Sequence, residues 1–182
     1  MHGTGRRFEP YQLHHLYIMK KELSILIGVL LLSRVIPILD PTYANFTPLF
    51  AVAIFFPLTH NKLLSYSVPL GVMLVTDLIF GISAINLVVY SVLALIITIS
   101  SIVKNYVYTS FIGIGLWHII VNYFVWLANP DVPLLTTYAM AVPFDFKLLI
   151  STLVYGALLS LLLIIVTLVV VLSEITLLYT II

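Results

Sequence analysis

From Glu22 to Ile182 the chain is a succession of apolar runs, separated by turns that carry several of its prolines and charges. In lipid every backbone N–H and C=O must be satisfied within the protein, so runs of this length and polarity restrict the fold to membrane helices. The composition agrees: 62% of residues are hydrophobic and 8% are charged, too little polar surface to solvate a water-soluble domain. Each span takes roughly 20 residues. The 182 residues therefore predict a single all-α integral membrane domain, a compact bundle of about six transmembrane helices.

The expected segments are Glu22–Leu39, ending at Pro37 and Pro41; Phe46–Leu58; Leu63–Phe80, kinked at Pro69; Ala84–Val103; and Tyr106–Ala128. Phe46–Leu58 is short for a span and reads as tilted or re-entrant. A proline-broken stretch from Asn129 to Phe146 reads as an outer loop, and a last segment runs from Lys147 to Ile182. That segment exceeds one span, so its end beyond Leu172 is expected to tilt, lie in the interface or pack on a partner. Residues 1–21 read as a cytoplasmic tail and 22–182 as the transmembrane domain. The tail holds Arg6, Arg7, His14 and His15, and it lacks the apolar core of a signal peptide. Met19, followed by Lys20 and Lys21, is an alternative start.

Orientation follows from the cations in short loops. With the amino terminus inside and six crossings, Arg6, Arg7, Lys20, Lys21, Lys62 and Lys104 all fall on the cytoplasmic side. Lys147 alone falls outside, beside Asp40, Asp131 and Asp145. The expected location is the cell membrane, with both termini cytoplasmic and lipid as the surrounding partner.

Against this apolar background a few polar side chains stand out. A charge in lipid costs about 2.5–3.5 kcal/mol on insertion scales, so Arg34 and Asp77 are expected to face each other or a cavity. His118, Asn122 and Trp126 follow at i, i+4 and i+8 and share one stripe of a helix. The expectation is that these five meet in the outer half of the bundle. The loops Asp40–Asn45 and Asn129–Phe146 would cover them, bringing Asn45 and Tyr138. A plainer reading stands beside it: Arg34–Asp77 as a helix-fixing ion pair, His118 and Asn122 as interhelical hydrogen bonds, Trp126 as a belt residue.

Small residues at Ser24-x-x-x-Gly28, Gly113-x-Gly115 and Gly156-x-x-x-Ser160 permit close helix approach, within the bundle or to another subunit. Catalytic signatures are missing: no phosphate-binding G-x-x-x-x-G-K-S/T loop, no nucleophile elbow and no helical His pair. The absence of cysteine removes disulfides, thiolate ligands and thiol nucleophiles. With a net charge of +1 and no basic stripe, nucleic acid is not an expected partner. No cofactor, no metal and no enzymatic activity are expected.

Several motifs together resemble a known family. Ser33-Arg34, Asn45-Phe46-Thr47-Pro48, Pro69-Leu70 with Thr76-Asp77, Asn122-Tyr123-Phe124-Val125-Trp126, and Tyr138 with Val142-Pro143-Phe144 resemble small prokaryotic membrane proteins of unknown function. The likeness covers roughly residues 30–158. This chain has Val121 and Tyr123 where the family pattern has Thr and Phe, and Ile54-Phe55-Phe56 where it carries small residues. The family is in turn similar in layout to the substrate-binding components of energy-coupling factor transporters. That similarity implies solute capture near the outer surface and transport driven by a separate coupling subunit. It also implies that small residues of the first helix, here Ser24 and Gly28, dock the coupling subunit.

The expected function is therefore capture of a small solute from outside. Arg34 and Asp77 would frame the site, His118 and Asn122 would orient the solute, Trp126 and Tyr138 would stack on it, and Asn45 is a further expected ligand-binding residue. The alternative is a non-catalytic accessory subunit of a larger membrane complex. A weaker third option is an intramembrane enzyme built near His118.

Overall fold

A computed structural model describes residues 10–40 and 45–181. Among the described residues the fold is entirely helical: α1 Pro10–Leu39, α2 Leu49–Thr59, α3 Lys62–Phe80, α4 Ala84–Val103, α5 Tyr106–Ala128 and α6 Leu134–Ile181. Four of these, α3 to α6, are long and apolar enough to cross a membrane. The apolar part of α1, Leu23–Pro37, and the whole of α2 are shorter.

Local chemistry explains the boundaries. Asn61 caps α3, its Oδ1 accepting from the Leu64 N–H at 3.0 Å, and Asn105 does the same for Tyr108 at the start of α5. At the start of α4, Asn86 Oδ1 reaches back to the Ser83 N–H at 3.0 Å, satisfying one of the orphan donors of that helix end. Gly81, at φ 114, closes α3 in a conformation that a side chain would strain. Lys104 closes α4 in the left-handed region, at φ 52.

The core is organised around α2. Every residue from Leu49 to Phe56 is buried, and a helix apolar on all sides belongs in an interior. It packs on α3, α4, α5 and α6, while α1 joins the bundle through α3. Protein, not lipid, surrounds α2, so its 11 residues need not match the thickness of a bilayer. The Ser100 hydroxyl donates to the Ile54 carbonyl at 2.6 Å, and Phe50 meets Trp117 edge-on at 4.9 Å. These contacts fix α2 against α4 and α5.

Two expectations are corrected. The stretch from Asn129 to Phe146 is not a loop: only Asn129–Pro133 connects α5 to α6, and Tyr138, Pro143 and Asp145 all lie on α6. Pro133 immediately precedes the helix, where its missing N–H is no loss, and its carbonyl accepts from Thr137 at 3.0 Å. Pro143 points to the exposed side and interrupts one backbone bond of a 48-residue helix without ending it. Likewise α1 starts at Pro10, ahead of the expected Glu22, and it runs through Pro37.

Close approach within the bundle explains one glycine. A Cβ on Gly156 would clash with the hydroxyl end of the Tyr106 ring, whose hydroxyl donates to the Thr152 carbonyl at 2.6 Å. Gly156 thus serves contact between α6 and α5 of the same chain, while the Ser160 hydroxyl turns back to the Gly156 carbonyl at 2.8 Å. Gly28 differs, because nothing stands within 4 Å of where its Cβ would be, and Ser24 is exposed.

Candidate functional site

The polar side chains form two clusters, not one. In the first, Asp77 of α3 is buried and binds three neighbours. Its Oδ1 accepts from Arg34 Nη2 at 3.0 Å, and its Oδ2 accepts from Asn86 Nδ2 and the Tyr90 hydroxyl, each at 2.6 Å. Thr76 adds a longer contact to Arg34 Nε at 3.4 Å. Charge-assisted bonds of this length are strong ones, and here they join α1, α3 and α4. The carboxylate is so fully engaged that the cluster reads as a closed structural joint.

The second cluster lies between α5 and α6. His118 Nδ1 stands 2.7 Å from Asp145 Oδ2, and Asn122 Nδ2 donates to the same oxygen at 3.0 Å. A carboxylate only accepts, which places the imidazole proton on Nδ1. Asn122 also donates to the His118 carbonyl at 2.9 Å, which holds its amide plane along the helix. Tyr138 packs its ring 5.3 Å from that of His118, and its hydroxyl donates to the Ile119 carbonyl at 2.7 Å.

The anticipated meeting of Arg34 and Asp77 with His118 and Asn122 is therefore not found. Neither α1 nor α3 forms a packed interface with α5, whereas the buried helix α2 packs on both α3 and α5. Shared depth along helices does not imply a shared face when an apolar helix fills the centre.

A cavity of about 460 Å³ opens beside the second cluster, lined by Asn45, Asn122 and Asp145 among apolar and aromatic walls. Asn45 is placed there by its own backbone, at φ 65 in the turn before α2, and its carbonyl accepts from the Ser151 hydroxyl at 3.2 Å. Asparagine tolerates this left-handed conformation better than most residues. Trp126 stays outside, its ring 5.7 Å from that of Tyr123, and Tyr138 is not part of the lining. Trp117 and Phe144 supply the aromatic walls instead. Of the anticipated residues, Asn45 and Asn122 line the cavity, His118 and Tyr138 stand behind it, and Arg34, Asp77 and Trp126 lie elsewhere. Asp145 is the unanticipated member. It is the one acidic residue between Asp131 and Glu174, set between Phe144 and Phe146 in a mainly apolar stretch, and that was its visible signal.

A second recess, about 220 Å³ and almost wholly apolar, lies at the far end of α2 between Leu26, Phe56 and Leu163. His60 sits at its edge, stacked on Phe56 at 4.2 Å. Partial burial pushes the His60 imidazole below its usual value, which favours its neutral form.

The profile of a family of unknown function, DUF6580, matches residues 19–176, which include both clusters and the cavity. The chain belongs to the DUF6580 family. No curated protein and no solved structure matches it. Membership agrees with the expected family of unknown function and assigns no activity to the DUF6580 residues around the cavity.

Proposed function

We propose that the chain is a multi-pass membrane protein that captures a small solute from the outer side in the α5–α6 cavity. It would serve as the substrate-binding component of a transporter resembling the energy-coupling factor type. One observation carries this reading: a cavity of about 460 Å³ whose apolar walls converge on the buried polar groups Asn122 and Asp145. Ligand sites have this size and makeup, and ionisable groups within a membrane bundle mark pathways and sites more often than they mark stability. The lysine and arginine bias supports placing both termini in the cytoplasm and the cavity toward the outside. The exposed Ser24 and the open space at Gly28 support docking of a coupling subunit on α1, and energy would come from that partner.

The test is native mass spectrometry of the protein released from membranes in mild detergent. A bound solute should be seen, and Asn122→Ala should weaken its binding by about 1–3 kcal/mol while thermal melting stays within a few degrees of the parent. A parent protein without any adduct, or an adduct indifferent to Asn122→Ala, counts against the reading.

The accessory-subunit reading draws on a different feature. The segment of α6 from Leu161 to Leu172 is apolar and almost entirely exposed, a surface suited to a neighbouring membrane subunit as well as to lipid. Co-purification of a stoichiometric membrane partner that is lost on truncation after Ser160, with no solute bound, would favour it.

A further inference from the structure

Asp145 is the single charged residue lining the α5–α6 cavity, and it is 7% exposed. No lysine, arginine or histidine joins the lining among the described residues, so nothing there would compensate an anionic solute. The remaining polar groups are the amides of Asn45, Asn122 and Asn129 and the hydroxyl of Thr137, all able to accept hydrogen bonds. The aromatic walls are Trp117 and Phe144, with the thioether of Met140 between apolar side chains. An indole face attracts cations most strongly among the aromatic rings, and the attraction grows where water is excluded.

A carboxylate, an indole and a phenyl ring around a mainly apolar cavity form the set that recognises organic ammonium groups. A free inorganic cation would instead need several oxygen ligands converging at short range, and no group of three or more acidic or histidine side chains occurs among the described residues. From this geometry we infer that the cavity selects a small organic cation, an amine or quaternary ammonium compound, over neutral and anionic solutes. The inference rests on the solute-binding reading above and narrows it to a charge class.

His118 has a defined part in this arrangement. It holds Asp145 Oδ2 without joining the lining of the cavity, and Asn122 holds the same oxygen. The carboxylate is thus positioned for a ligand by two groups that are themselves fixed on α5. His118 and Asn122 are positioning residues, whereas Asp145 and Trp117 are the contact groups.

The experiment uses the full chain in detergent or nanodiscs and measures saturable binding by isothermal titration. Three probes of similar size serve: choline, its uncharged isostere 3,3-dimethylbutan-1-ol, and butyrate. Choline is expected to bind about tenfold or more tightly than the isostere, and butyrate not at all. Asp145→Asn, which keeps the shape and the acceptor toward His118, should remove the preference for choline; Trp117→Leu should weaken choline more than the isostere. Equal binding of choline and the isostere, or tighter binding of butyrate, would refute the charge class and leave solute capture standing. No saturable binding of any probe, together with no co-purifying solute, overturns both.

Discussion

Asp77→Ala is expected to destabilise the protein by about 3 kcal/mol, measured by reversible unfolding in mixed detergent micelles. The substitution leaves the Arg34 guanidinium without its carboxylate, and it also strands the donors of Asn86 and Tyr90. The figure sits at the lower end for a broken buried pair because the Arg34 side chain keeps 31% of its surface exposed. The informative comparison is Arg34→Met. That change removes one of three donors and leaves Asp77 bound to α4, so its cost should be clearly smaller. Equal losses for the two single variants, fully recovered in the double variant, would reduce the cluster to a simple ion pair. The predicted inequality instead marks Asp77 as the hub that joins α1, α3 and α4.

Gly156→Ala should be the second severe change, with a loss of about 1–3 kcal/mol and a fall in folded yield. The added methyl has no room beside the Tyr106 ring, and moving that ring breaks its bond to the Thr152 carbonyl. Gly115→Ala is the matched control, because nothing lies within 4 Å of its Cβ position. It should stay within about 0.5 kcal/mol of the parent. Tyr106→Leu should partly restore Gly156→Ala by vacating the contested space. A harmless Gly156→Ala would mean that α5 and α6 are spaced more widely than described.

The middle of the chain could be read from sequence because its helix ends are marked by local chemistry. Asn61, Ser83 and Asn105 stand at the starts of α3, α4 and α5, and Gly81 and Lys104 stand at the ends of α3 and α4. Those signals depend on neighbours a few residues apart, so no tertiary information is needed to see them. The start of α6 escaped because Pro143 reads as a breaker, whereas it sits on an exposed face where one lost bond is tolerated.

The site was legible only in part, and for a geometric reason. Sequence spacing correctly put His118 and Asn122 on one stripe of α5, and the structure joins them through Asp145. Which other helix that stripe faces depends on the arrangement around α2, and periodicity carries no such information. Arg34 and Asp77 pair with each other, as the plainer reading had it and not as two walls of a solute site, and the other partners of Asp77 are Asn86 and Tyr90 of α4. The position of Trp117 next to Phe50 and the cavity likewise follows from tertiary packing.

The burial of α2 also bears on how the molecule is made. Four later helices, α3 to α6, form its walls, and the bonds from Ser100 to Ile54 and from Ser151 to Asn45 close loops across much of the sequence. When α2 leaves the ribosome none of those walls exists, and at 11 residues it is too short to rest in the bilayer as an independent span. Its enclosure must therefore wait for the synthesis of α6, which makes biogenesis a late, long-range event. A nascent chain halted before Ser151 would carry a greasy, unsheltered segment, an obvious client for membrane chaperones and quality-control proteases.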